Sequence, residues 1–157
     1  IPGHWEGDLV LGKNRESAIG TLVERTTRFL IIVPLKKRDS TTVRKAFEKE
    51  FRKLPDNLKL SLTYDNGTEM AQHKTFTKNS KVKVYFAHPY SPWERPTNEN
   101  TNGLIRDYFP KGTDFNLVSK KQLKEVQNQL NERPRKTLEY ESPLNTISRL
   151  YMNQNFI

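Results

Sequence analysis

The sequence has no cysteine among its 157 residues. That excludes a disulfide framework, a thiolate zinc site and a cysteine nucleophile. Histidine is scarce as well: His4, His73 and His88 are the only three, and they lack any metal-ligand spacing. No apolar run approaches the length of a membrane span and no signal peptide is visible. No membrane partner is therefore expected, a cytoplasmic location is, and the sequon Asn66-Gly67-Thr68 has no secretory context. An initiator methionine is missing too. The chain opens on Ile1-Pro2-Gly3, which reads as a segment excised from a longer protein, with residues 1–157 forming one domain.

Acids are outnumbered. Lys and Arg total 27 against 18 Asp and Glu, a net charge of +9. Such a surplus suits a polyanionic partner, because neutralised phosphates release counterions. A basic protein with no nucleic-acid role would share it. Hydrophobic residues reach only 34%, but they fall in patterned blocks, so a folded core is expected rather than disorder.

Those blocks give an order of elements. His4 to Leu11 alternates as a half-buried strand does, with Glu6, Asp8 and Val10 on one face and Trp5, Leu9 and Leu11 on the other. Ile19–Glu24 and Phe29–Leu35 read as two more strands joined by the polar turn Arg25-Thr26-Thr27-Arg28. Ser40-Thr41-Thr42 offers an N-cap for a helix carrying Val43, Ala46, Phe47, Phe51 and Leu54, stopped by Pro55. Leu58–Tyr64 alternates again and ends at the turn signal Asp65-Asn66-Gly67. A short helix over Ala71–Asn79 and a strand at Val82–Phe86 follow. Pro89, Pro92 and Pro96 hold a loop open, before helices from about Asn98 to Phe109 and from Lys120 to about Glu132. Ser119 and Gln122 fit a capping box for the last of these. Strand–strand–strand–helix–strand–helix–strand–helix–helix implies an α/β mixed sheet of about five strands with helices on both faces.

Three acids stand where chemistry tends to sit in such a sheet. Asp8 lies in the first strand, Asp65 at the carboxyl end of the fourth, and Glu99 at the opening of the helix after the proline loop. If the first and fourth strands are neighbours, the two aspartates approach and the Glu99 helix can pack beside them. Three converging carboxylates repel one another unless a cation neutralises them. Hard divalent ions take oxygen ligands, and a pair of them can serve phosphoryl transfer. Taken singly, Asp65 is equally a turn residue, Glu99 a first-turn acid favoured by the helix dipole, and Asp8 a solvated strand residue. The Glu99 helix favours the functional reading. Glu99, Asn102 and Arg106 share one stripe at i, i+3 and i+7, with Leu104, Ile105 and Tyr108 on the other side. The stripe is expected to face outward as a metal ligand followed by DNA contacts.

Several segments together resemble a known family. They are Gly3-His4-Trp5-Glu6-Gly7-Asp8-Leu9, Thr21-Leu22-Val23-Glu24-Arg25, Tyr64-Asp65-Asn66-Gly67-Thr68-Glu69-Met70, and Ser91-Pro92-Trp93-Glu94-Arg95-Pro96-Thr97-Asn98-Glu99-Asn100-Thr101-Asn102-Gly103-Leu104. Asn131-Glu132-Arg133-Pro134-Arg135 and Ser142-Pro143-Leu144 close the series. In this order, with 33 residues between Asp65 and Glu99, they resemble the bacterial insertion-sequence-thirty family of DDE transposases, within the retroviral-integrase-like group. The resemblance implies an RNase H-like fold and a catalytic, metal-binding triad of Asp8, Asp65 and Glu99. It implies Mg²⁺ or Mn²⁺, two ions in the active complex. The implied activity is cleavage at the ends of a mobile element and strand transfer into target DNA. Both DNAs are implied partners, with a homo-oligomer on them in the bacterial cytoplasm and nucleoid. Asn102, Arg106, Arg95 and Lys111 are the expected DNA-binding residues. Pro96 departs from the family pattern, which usually has glycine there.

Other readings stay open at this stage: a decayed DNA-binding core, another RNase H-like nuclease, or a basic DNA-binding module whose acids are structural. Glu6 is expected as a solvated strand residue, with a place behind Asp8 as the alternative. Tyr90 and Trp93 could stack on bases or pack under the loop. Lys36-Lys37-Arg38 and the cluster Arg133, Arg135, Lys136 are candidate phosphate contacts.

Overall fold

Alternation in the first segment makes β1 (His4–Leu11) the centre of a mixed sheet. The computed structural model describes residues 1–65, 70–87 and 96–155. Within them the sheet also holds β2 (Ala18–Glu24), β3 (Leu30–Pro34), β4 (Ser61–Tyr64) and β5 (Lys83–Phe86), in the order β3-β2-β1-β4-β5. β1, β2 and β3 form the expected antiparallel meander. β4 joins the other edge of β1 in parallel, and β5 joins β4 in parallel. The helices are α1 (Ser40–Arg52), α2 (His73–Ser80), α3 (Pro96–Tyr108), α4 (Lys120–Glu132) and α5 (Pro143–Asn155). No helix among the described residues is long and apolar enough to cross a membrane.

Side-chain parity divides the core in two. Trp5, Leu22, Ile31, Val33, Leu62 and Tyr64 pack with α1 and α2 through Val43, Phe47, Phe51 and Phe76. Val10, Ile19, Val23, Leu30 and Ile32 point the other way, toward Ile105 and Phe109 of α3 and Leu123, Val126 and Leu130 of α4. Glu6 and Asp8 share Val10's parity and so lie on the α3 face. Gly7 lies between them on the opposite face. A Cβ there would stand 2.9 Å from both Leu62 Cδ1 and Tyr64 Cδ2, so glycine leaves room for these two β4 side chains to pack over β1 behind Asp8.

Three local expectations are corrected. The N-cap of α1 is Asp39, not Ser40: its carboxylate accepts from the Thr42 N–H at 2.9 Å. β4 begins at Ser61, because Asp56–Leu58 wind into a 3₁₀ turn after Pro55. Leu60 consequently escapes the buried row and is 40% exposed, while Leu58, Leu62 and Tyr64 are buried. A fifth helix follows Ser142, where no helix is expected from the sequence. By contrast, α4 runs over the expected residues with the Ser119–Gln122 capping box formed.

Candidate active site

β1 and β4 set the first two acids. Their parallel register pairs Glu6 with Thr63. Carried two residues further, it sets Asp8 across from Asp65, on the same face of the sheet. Both side chains are half-buried.

α3 covers that face and is fastened to it by asparagines rather than by apolar contact alone. Asn98 is fully buried; its backbone N–H donates to Glu6 Oε1 at 3.1 Å and its amide donates to the Glu6 carbonyl at 3.0 Å. One turn later the Asn102 amide donates to Asp8 Oδ2 at 3.0 Å and to Asn98 Oδ1 at 3.0 Å. Its oxygen accepts from the buried Thr21 hydroxyl at 3.3 Å. Asp8 Oδ1 accepts from the Leu9 N–H at 2.8 Å. The Asp8 carboxylate is thus oriented from both sides, by its own strand and by the helix bearing Glu99.

Glu99 is exposed at the first turn of that helix. Its stripe is not a uniform outward track as expected. Asn102 lies four residues after Asn98 and three before Ile105, both fully buried, and so falls at the margin of the sheet-facing side. Arg106 is also turned inward: Nη2 donates to the Leu11 carbonyl at 2.8 Å, and Nη1 reaches the Phe109 carbonyl at 3.4 Å. Lys111 is exposed just beyond α3. Arg95, Tyr90, Trp93, His88, Asn66 and Gly67 lie outside the described residues. Pro96 is the first helical residue of α3. There the missing N–H is one that no helical turn uses, and the fixed φ suits the helix.

Glu6 corrects the sequence reading most sharply. It is fully buried, not solvated. Burial pushes its carboxyl above the usual 4.5, against the Asn98 N–H and the Arg25 cation, which act the other way. Arg25 Nε stands 3.1 Å from Oε2. Apolar periodicity could not find this, because the cover over Glu6 is polar.

Asp8, Asp65 and Glu99 offer only oxygen donors, in a chain without thiols, which suits Mg²⁺ or Mn²⁺. Among the described residues no three His, Asp or Glu side chains stand close enough to hold an ion. Residues 66–69 and 88–95, which follow Asp65 and lead into α3, are not among those described.

The family description that matches this sequence is the integrase core domain, over residues 2–92. The chain belongs to the integrase core domain family. This integrase core is 52% identical to transposase InsI of insertion sequence element IS30A from Escherichia coli (strain K12), over 94% of the chain and 38% of that protein. It is 44% identical to the transposase of insertion sequence element IS1086 from Cupriavidus metallidurans, over 98% of the chain and 45% of that protein. The likeness to insertion-sequence-thirty transposases is therefore borne out across nearly the whole chain, which spans less than half the length of these relatives. The fold matches the crystal structure of the catalytic core domain of BIV integrase, with a TM-score of 0.72 at 13% identity and 99% of each chain covered. It also matches a chain in the cryo-EM structure of the simian T-cell lymphotropic virus intasome in complex with PP2A regulatory subunit B56 gamma. There the TM-score is 0.72 at 18% identity, over 92% of this chain and 54% of that one. The integrase core is an α/β, RNase H-like fold.

Proposed function

We propose that this integrase core is the catalytic part of a transposase, cutting DNA at the ends of a mobile element and joining the 3′ ends to target DNA. The observation that carries the reading is the Asn102–Asp8 bond: the helix with Glu99 in its first turn holds the carboxylate of Asp8 on β1, and Asp65 directly follows β4, the strand that joins β1 in parallel. Asp8, Asp65 and Glu99 are the residues that would hold the metal. Mg²⁺ or Mn²⁺, as two ions, would supply activation of an attacking oxygen and stabilisation of the leaving one.

The chain's own residues do the rest. Asn102 orients Asp8 and so keeps its carboxylate in one rotamer. Asn98 fixes the first turn of α3 to Glu6, which sets the position from which Glu99 extends. Arg106, Arg95 and Lys111 would meet DNA phosphates, Arg106 while bracing the end of β1. The +9 charge suits broad, sequence-independent attraction to both element end and target. The relatives named above are transposases, and the matched intasome chain sits in an assembly. A homo-oligomer on DNA, working in the cytoplasm and nucleoid, fits the same reading.

The experiment is cleavage of a labelled element end by the full-length protein in Mg²⁺, beside a binding titration on the same preparation. Glu99→Gln keeps size and hydrogen bonding but removes charge. Cleavage should fall by orders of magnitude, as when a site stabilising developing charge is lost, while DNA binding persists. Wild-type cleavage by Glu99→Gln would reduce Glu99 to a helix-start acid and overturn the assignment.

A further inference from the structure

The basic run Lys36-Lys37-Arg38 is left unused by the proposed active site, and the fold joins it to the far end of α3. That helix runs beside β1 in the same direction: Asn98 bonds Glu6, Asn102 bonds Asp8, and Arg106 bonds the Leu11 carbonyl. β3 ends level with them, because Pro34 pairs with Ile19 and Ile19 with Val10. β1, β3 and α3 therefore finish at one end of the sheet. The segments that follow them are bonded together there. The Lys13 N–H donates to the Thr113 carbonyl at 2.9 Å, which joins the β1–β2 loop to the turn closed by Thr113 and Pro110, the turn that carries Lys111. The Phe115 N–H donates to Ser17 Oγ at 3.0 Å. Arg38 Nη1 donates to the Arg15 carbonyl, which brings the segment after β3 onto the same loop.

The β1–β2 loop is rigid. A Cβ on Gly12 would stand 2.6 Å from the Thr113 carbonyl oxygen, so the two loops meet without slack. Asn14 and Arg15 both take left-handed backbone, at φ 55° and 60°. Such backbone persists only where the surroundings fix it. Here the Arg15 N–H donates to the Gly12 carbonyl at 3.0 Å and the Glu16 N–H to the Lys13 carbonyl at 3.1 Å. Lys13, Arg15 and Lys111 are exposed, and Arg38 is half-buried across the loop. None of these four cations has an ion-pair partner among the described residues. Two of the acids on these segments are committed to backbone: Asp39 accepts from the Thr42 N–H and hydroxyl, and Asp114 from the Asn116 N–H. Only exposed Glu16 is left to oppose them. Cations already fixed in place suit a polyanion, because little ordering remains to be done on binding.

We infer that Lys13, Arg15, Arg38 and Lys111 form a backbone-contacting surface for duplex DNA at the opposite end of α3 from Glu99. The inference rests on the transposase reading. From Glu99 to the end of α3 at Tyr108 is roughly 14 Å of helix. A duplex lying along α3 meets this surface roughly four base pairs from the bond that the acids would cut. The surface holds phosphates and reads no bases, so it sets the direction in which the duplex leaves the acids.

The test is metal-free binding of labelled element-end duplexes by the full-length protein over a series of salt concentrations, with melting temperatures for each variant. On a long duplex, Lys13→Gln combined with Arg15→Asn should lower the salt slope by about two ions, and Arg38→Gln by about one. Arg15→Lys should bind like wild type. Asparagine suits left-handed backbone, so the double variant should melt with wild type and its loss of binding cannot come from unfolding. Lys53→Gln, just past the other end of α1 and already paired with Glu50 at 3.4 Å, should leave the slope unchanged. Cutting the duplex back to about two base pairs on one side of the cleaved bond, then on the other, removes in one case the backbone that this surface holds. On that shortened duplex the double variant and wild type should bind alike. Equal slopes for the two proteins on the long duplex would overturn the surface, while cleavage by wild type would leave the transposase reading standing. The same loss on the long duplex and on both shortened ones would overturn its place at the far end of α3. A wild type with the expected slopes that does not cleave in Mg²⁺ would overturn the transposase reading instead.

Discussion

Asn102 changes meaning between sequence and structure. On the helix stripe it reads as a DNA contact, one turn beyond a metal ligand. In the fold its amide is occupied by Asp8 Oδ2 and Asn98 Oδ1, and its oxygen by Thr21. Asn102→Ala should therefore lower strand cleavage about 10-fold, in the range seen when a residue orienting a metal ligand is lost. The salt dependence of DNA binding should stay as in wild type. Parallel loss of cleavage and of one ion from the salt slope would restore Asn102 to the DNA-contact set. Asp65 and Glu99 were legible as candidates because each is an acid at an element end, and Asp8 as the strand acid that could meet them. The roles of Glu6 and Asn98 were not. Alternation distinguishes apolar from polar faces, and a polar strand residue covered by a polar helix residue looks the same in sequence as a solvated one.

α4 shows what an element can do beyond filling the core. β3 is the outer strand of the meander, and an outer strand offers unpaired backbone groups. Here α4 covers them with amides: Gln127 Oε1 accepts from the Ile32 N–H at 2.9 Å, and Asn131 bonds both backbone groups of Leu30. Asn131→Ala should leave a buried donor and a buried acceptor unpaired and cost about 2–4 kcal/mol. Urea unfolding would record this as a lower midpoint with little change in slope; a midpoint within error of wild type would mean the edge needs no such cover. The helix itself was legible, because Leu123, Val126 and Leu130 recur at helical spacing behind a capping box. Its amides were not, since nothing local marks Gln127 or Asn131 as facing a strand about a hundred residues earlier in the chain. The 3₁₀ turn at Asp56–Leu58 hid for a related reason: Leu58 is buried and in phase with Leu62, so burial alone extended the strand pattern.

At the scale of the molecule, one topological fact assembles the candidate site. β4 adds to the edge of β1 that the meander leaves open, in parallel, so the carboxyl end of β4 advances toward the middle of β1. Asp65 and Asp8 come onto one face by that register, and α3 lies over the same face with Glu99 at its start. The adjacency of β1 and β4 entered the sequence reading only as a condition, which the sheet order meets; the register was not legible, because nothing local marks Leu62 and Tyr64 as packing over Gly7. The central claim is that the three acids serve one metal centre, and it is tested most directly by thermal melts of the protein with and without millimolar Mg²⁺ or Mn²⁺. Wild type should gain stability with metal, by about 2.7 kcal/mol once the ion reaches a hundredfold its dissociation constant. Asp8→Asn, Asp65→Asn and Glu99→Gln should each lose most of that gain. The same metal-induced rise in all four proteins would contradict the account.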